Sequence, residues 1–157
     1  MANYLINNGR LLDCTGAEPK KEASLFVVGD RIAKVGPADE VKAYASSQGA
    51  HETVEASGLT IMPGIIDCHV HPSYGDITSF EELDFYPGVE YRTLRATHAL
   101  KQVLRAGVTS IAAPGGIWNI NVALRDAVNA KLIEGPRIAA GGHYLSTYNR
   151  IASLWPS

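Results

Sequence analysis

The sequence predicts an α/β chain with a small β-rich unit in front. Three observations point there. Residues 3 to 56 hold short strand-like stretches with one helical stretch among them. From residue 59 onward, apolar strand-like runs alternate with amphipathic helical ones. At the end of the first such run, "IMPGIIDCHVHPSYGD" at 61 to 76, stand two histidines one residue apart.

Composition narrows the class. A chain of 157 residues suffices for one ordinary domain. At 46% hydrophobic and 19% charged, it belongs with globular proteins rather than disordered ones. The net charge of −2, without a Lys/Arg cluster, argues against a nucleic-acid or anionic-membrane partner. The start, "MANYLINNGRLLD", lacks the basic segment and apolar run of a signal peptide. No window holds the roughly 18 uninterrupted apolar residues of a membrane span. Cys14 and Cys68 lie far apart in no CxxC pair and read as reduced thiols, which suits the cytoplasm.

The elements follow in order. "YLINNGRLL" reads as a strand. "SLFVVGDRIAKVG" reads as two strands joined at Gly29-Asp30, a two-residue hairpin signal. "PADEVKAYA" predicts a short helix with Val41, Tyr44 and Ala45 on one face, and "ETVEA" another strand. "LTIMPGIID" is a continuous apolar run, as in a strand buried on both faces. Residues 90 to 106 carry Ala96, Leu100, Val103 and Leu104 on one helical stripe, stopped by Gly107. "VTSIAA" is a second buried strand. "NINVALRDAVNAKLI" is a second helix, with Ile120, Leu124, Ala127, Val128 and Leu132 at helical spacing, ended by Gly135-Pro136. "RIAAGG" begins a third strand. This βαβαβ order predicts a parallel sheet with right-handed crossovers. Residues 72 to 88 form a far longer connection than a βα loop usually needs, and they carry Asp76, Glu81, Glu82 and Asp84 with no Lys or Arg. A solvated surface lid is the expectation there, ahead of a direct substrate role.

Side chains alternate faces along a strand, so Asp67, His69 and His71 are expected to share one face, with Cys68 and Val70 on the other. Cys68 then reads as core packing. Two imidazoles side by side at a strand end can reach one metal ion, each nitrogen about 2.0–2.1 Å from it. H-x-H alone is a weak signal. Its setting strengthens it: an apolar strand, a Pro-Gly just upstream, an Asp on the same face and a long connection after it.

"TIMPGIIDCHVHP" resembles the first barrel strand of the amidohydrolase superfamily, whose members open with part of a small β-sandwich and then a strand ending in PG-x-x-D-x-H-x-H. "GDRIAKVG", "LRAGVTSIAAPGG" and "LIEGPRIAAGG" resemble the imidazolonepropionase-like and prolidase-like members, so the likeness covers essentially the whole chain. The resemblance implies that residues 1–58 are part of a small β-sandwich. It implies that 59–157 are the first three βα units of a (β/α)₈ TIM-like barrel, incomplete because such a barrel runs to about 250 residues. It further implies one or two divalent metals, usually zinc, the more buried one held by His69 and His71. Metal-bound water would attack the polarised carbonyl carbon and break the C–N bond of an amide, cyclic amide or dipeptide-like small molecule. Asp67 matches the acid before the pair and is expected to orient a ligand or the strand end. The remaining ligands and the catalytic acid match nothing in this sequence, so no catalytic residue is assigned. The expectation is an N-terminal piece, inactive and aggregation-prone by itself, of a cytoplasmic hydrolase, with assembly into a homo-oligomer left open.

Three other histidines are weighed against the same pattern. His51 reads as exposed loop and His98 as helix surface. His143 follows the third strand but matches no ligand motif, so a substrate-loop or structural role is favoured. Gly115-Gly116 lacks the G-x-x-x-x-G-K-[ST] phosphate-loop pattern and reads as a βα turn. Two alternatives stay open. One is a metal phosphoesterase, against which the β-rich unit and the MPG argue. The other is a non-catalytic amidohydrolase-like scaffold, against which intact His69 and His71 argue.

Overall fold

The structure, a computed structural model, describes residues 2–75, 77–79 and 88–143. Of the long connection's acids, Asp76, Glu81, Glu82 and Asp84 lie outside the described residues, as does the chain after His143. Two compact units divide between Pro63 and Gly64.

The first unit is a five-stranded sheet. It contains β1 (Tyr4–Leu11), β2 (Lys20–Val28), β3 (Arg31–Pro37), β4 (Glu52–Glu55) and β5 (Thr60–Ile61), with helix α1 (Ala38–Ser47) between β3 and β4. The order is β3-β2-β1-β4, with β5 also pairing β1. β1–β2 and β2–β3 are antiparallel, whereas β4 and β5 run parallel to β1. Gly29 opens the β2–β3 turn with φ +61°, the conformation a two-residue hairpin needs and glycine adopts at least cost. The spacing of α1 does what it predicts. Val41 and Ala45 are fully buried and pack with Leu5 and Phe26, with Tyr44 beside them.

The second unit is a three-stranded parallel sheet in the order β6-β7-β8, made of β6 (Ile65–Asp67), β7 (Val108–Ala113) and β8 (Arg137–Ala140). Helix α2 (Val89–Arg105) connects β6 to β7, and α3 (Ile120–Asn129) connects β7 to β8. Ala96 and Leu100 of α2, Ile120 and Leu124 of α3, Ile111 and Ala113 of β7 and Ile138 of β8 form one core, with Val70, Val103 and Val128 packed around it. Each fully buried Leu or Ile here stabilises by about 1.5–3 kcal/mol relative to an exposed one. Gly107, at φ +90°, ends α2 in the left-handed conformation that lets its N–H bond the Leu104 carbonyl.

Several expectations are corrected. The run 59–67 is not one strand. It breaks at Met62-Pro63-Gly64, giving β5 to the first sheet and β6 to the second. Pro63 has no N–H for a ladder, and Gly64 passes against the Thr109 side chain where no Cβ would fit. β6 is also not buried on both faces: Ile65 and Ile66 are 48% and 66% exposed, because β6 is an edge of this sheet among the described residues. Leu132 is not on the core stripe. α3 ends at Asn129, three residues earlier, and Leu132 is 78% exposed. Cys68 is exposed rather than in the core, for the reason given next.

Candidate metal centre

β6 stops at Asp67. The Asp67 carboxylate Oδ1 accepts the His69 N–H at 3.0 Å, a local side-chain bond that draws the backbone out of the ladder. Asp67 pairs Ile111, yet the next bond to β7 is from Val70 N–H to the Ala112 carbonyl at 2.9 Å. Three residues on one strand therefore span one on its neighbour. Cys68 and His69 bulge outward, which leaves Cys68 in solvent and ends the strict alternation of faces. The histidines are thus beyond the strand, not on it. Asp67 orients the strand end, through the backbone of His69.

The bulge nevertheless brings the two rings together. His69 Nε2 and His71 Nε2 lie 3.2 Å apart, with the ring planes at 84°. His71 is held from two sides. Its Nδ1 donates to the Gly115 carbonyl at 2.8 Å, and its ring stacks on Tyr74, centroids 5.0 Å apart. Tyr74 comes from a short 3₁₀ turn, Pro72–Tyr74, started by a proline that needs no N–H partner there. With Nδ1–H donated to Gly115, a neutral His71 presents its Nε2 lone pair to the space it shares with His69.

The Gly115-Gly116 turn after β7 is itself clamped. Asn121, in the first turn of α3, donates Nδ2–H to the same Gly115 carbonyl at 3.1 Å. Ser73 Oγ accepts the Ile117 N–H at 3.2 Å. A Cβ on Gly116 would stand 2.5 Å from Asn121 Nδ2 and 2.6 Å from Ser73 Oγ, so only glycine fits. The Gly116 N–H reaches the Gly142 carbonyl beyond β8. The turn is a βα connection, as expected, and it is also what supports His71.

The donor pair fits a metal ion. Two nitrogens each about 2.0–2.1 Å from one tetrahedral ion are about 3.3 Å apart, close to the spacing here. The N–H to backbone carbonyl bond on the ring's far side is the usual support of a ligating histidine. The pair supplies two donors, whereas a catalytic zinc takes three from its protein. Among the described residues no group of three or more His, Cys, Asp and Glu side chains gathers at one point.

The remaining histidines separate from this pair. His98 is exposed on α2 and bonds Gln102. His51 is half-buried rather than exposed, its ring edge-on to Phe26 and its Nδ1 on the Gly49 carbonyl. His143 is exposed and bridges Gly116 through the backbone. Sequence reasoning found His69 and His71 but missed Tyr74, Ser73 and Asn121. The signal for Asn121 was present: it lies on the stripe of Leu124 and Val128, a polar residue at a core position.

No family model matches the chain. The Rubrobacter xylanophilus imidazolonepropionase is 38% identical over 88 residues, 49% of this chain and 21% of its own. The Bacillus subtilis dihydroorotase is 35% identical over 112 residues, 71% of this chain and 21% of its own. A solved amidohydrolase superposes with a TM-score of 0.71 at 30% identity, over 90% of this chain and 32% of its own. A solved Xaa-Pro dipeptidase shares the fold, with a TM-score of 0.76 at 24% identity over 90% of this chain and 34% of its own. These relatives and structural neighbours support placing the chain with the amidohydrolase superfamily. It spans about a fifth of the length of these curated relatives.

Proposed function

We propose that this chain forms part of a metal-dependent hydrolase that cleaves C–N bonds of small amides, cyclic amides or dipeptide-like molecules. The observation that carries the reading is the meeting of His69 and His71 Nε2 at 3.2 Å, with the far side of His71 tied to Gly115. The names of the relatives, imidazolonepropionase, dihydroorotase and D-aminoacylase, support the reaction class.

In this reading residues 1–58 contribute to a small β-sandwich, and β6, β7 and β8 are the first three strands of a (β/α)₈ barrel. The exposed Ile65 and Ile66 suit a barrel wall whose inner face meets other strands. His69 and His71 would hold one divalent ion, for which zinc is the first choice. Such an ion, when bound, activates water and polarises a carbonyl. The chain's own part is to orient the two rings so that the Nε2 atoms of His69 and His71 face one another. A cytoplasmic location fits the two free thiols. No described helix is long and apolar enough to cross a membrane.

The test is to purify the protein from its complete reading frame, measure metal by elemental analysis, and assay hydrolysis of amide, cyclic amide and dipeptide series. Metal-dependent hydrolysis of one series, lost on chelation and restored by zinc, is expected. A metal-loaded protein inert to all three, but active on phosphate esters, would move the assignment to the phosphoesterase reading. A protein that takes up no metal would favour a scaffold.

A further inference from the structure

We propose that Asn121 is a positioning residue for His71, acting through the Gly115 carbonyl to hold the imidazole in the tautomer that can ligate a metal. The inference rests on the reading of His69 and His71 as a ligand pair, and goes beyond it by naming what sets the pair.

The side chain is an anomaly as packing. Asn121 is 1% exposed, among the core residues Ile120 and Leu124. Its Oδ1 is buried without a hydrogen-bond partner among the described atoms. A leucine there would fill similar volume and leave no orphaned acceptor, so packing alone does not account for an asparagine. What the amide does is donate Nδ2–H to the Gly115 carbonyl at 3.1 Å, and that carbonyl is the acceptor for His71 Nδ1–H at 2.8 Å. The amide orientation follows from the carbonyl: turned over, Oδ1 would face another acceptor.

Two donors from two different segments thus converge on one oxygen. Gly116 lets them do so, since any side chain at that position would collide with Asn121 Nδ2 and Ser73 Oγ. The carbonyl is aimed by Asn121 and cannot swing away while that bond holds. A fixed acceptor beside Nδ1 favours the Nδ1–H tautomer, in which the nitrogen carrying the lone pair is Nε2, the one that faces His69 Nε2 at 3.2 Å. Without the Asn121 bond the Gly115 carbonyl loses one of the two side-chain donors that converge on it, and the His71 ring loses part of its bias.

The test uses the natural full-length chain and three readouts. Long-range ¹H–¹⁵N spectra of the metal-free protein report the His71 tautomer, chelator competition reports zinc affinity, and thermal melting reports folding. Asn121→Leu is expected to remain folded, to shift His71 from Nδ1–H toward a mixture of tautomers, and to weaken zinc binding about 10- to 100-fold. In a His71→Ala background the same substitution should leave the residual zinc affinity unchanged. An unaltered tautomer in Asn121→Leu, or an equal loss of affinity with and without His71, overturns the proposal. If Asn121→Leu fails to fold, the wild-type protein still decides. The Asn121 side-chain amide signals should shift when zinc is added, and their indifference to zinc counts against the link. The ligand-pair reading fails separately, if wild-type and His69→Ala proteins bind zinc alike. The tautomer measurement on metal-free protein stands whichever way that comparison falls.

Discussion

The imidazole of His71 donates Nδ1–H to the carbonyl oxygen of Gly115 across 2.8 Å, joining residues 44 positions apart in the chain. This bond couples the segment after β6 to the turn after β7. It decides which nitrogen of His71 faces His69, and so what the pair can hold.

The pair itself gives the most direct prediction. In the full-length protein, His69→Ala or His71→Ala should reduce zinc binding to a weak residual level and abolish hydrolase activity. The fold should remain, because neither ring is part of the core around Leu100 and Leu124. Elemental analysis of the purified double variant is the check, and full metal occupancy there would refute the assignment.

Gly116→Ala tests the clamped turn. The added methyl would meet Asn121 Nδ2 at 2.5 Å and Ser73 Oγ at 2.6 Å. Such overpacking costs about 1–3 kcal/mol. Zinc affinity should fall with stability, since the displaced turn carries the His71 acceptor. Urea unfolding and a zinc titration on the same variant measure both, and a variant with wild-type values would show that the turn has slack.

Helix α3 offers a paired comparison. Leu124 is 1% exposed and Leu132 is 78% exposed. Leu124→Ala should cost about 2–5 kcal/mol through lost burial and a cavity. Leu132→Ala should stay within about 0.5 kcal/mol, as surface changes do. Equal costs in denaturant melts would mean that the helix stripe continues past Asn129.

Glu134 gives the pH-dependent case. Its carboxylate takes a hydrogen bond and ion pair from Lys101 at 2.9 Å, which holds its pKa below the usual 4.5. A carboxyl lowered on folding contributes stability above its unfolded value, near 4.5, and that contribution disappears as pH falls through the lower folded value. The pair is exposed, so the contribution is small and weakens with salt. Lys101→Met should move the Glu134 midpoint back up toward 4.5 in a carboxyl NMR titration and barely change Tm at pH 7. A midpoint that stays where it is would separate Glu134 from Lys101.

Much of this was legible in the residues because it is local. The hairpin at Gly29-Asp30, the Val41/Ala45 face of α1 and the Ala96/Leu100 stripe of α2 depend on spacing within a few positions, and each forms where the pattern puts it. The pair His69 and His71 was also visible, since two imidazoles so near in sequence have few ways to stay apart in space.

The break of the apolar run at Pro63-Gly64 was harder to read, because "LTIMPGIID" has no change of hydrophobicity to mark it. Its two halves pair with different sheets, β5 with β1 and β6 with β7, and only the pairing partners divide them. The same limit hid the bulge at Cys68-His69. Alternation of faces holds only while a strand keeps its ladder, and the Asp67 carboxylate ends the ladder by taking the His69 N–H.

By itself the sequence determined the α/β order of elements and the likeness to the superfamily, and it offered His69 and His71 as candidate ligands, since these rest on periodicity and on a motif within a dozen residues. Tertiary structure alone decided that Cys68 faces solvent, that Leu132 lies off the core, and that Asn121 and His71 meet on the Gly115 carbonyl. The physical reason is distance along the chain. A hydrogen bond acts over about 3 Å in space, and no local pattern specifies which remote carbonyl will stand there.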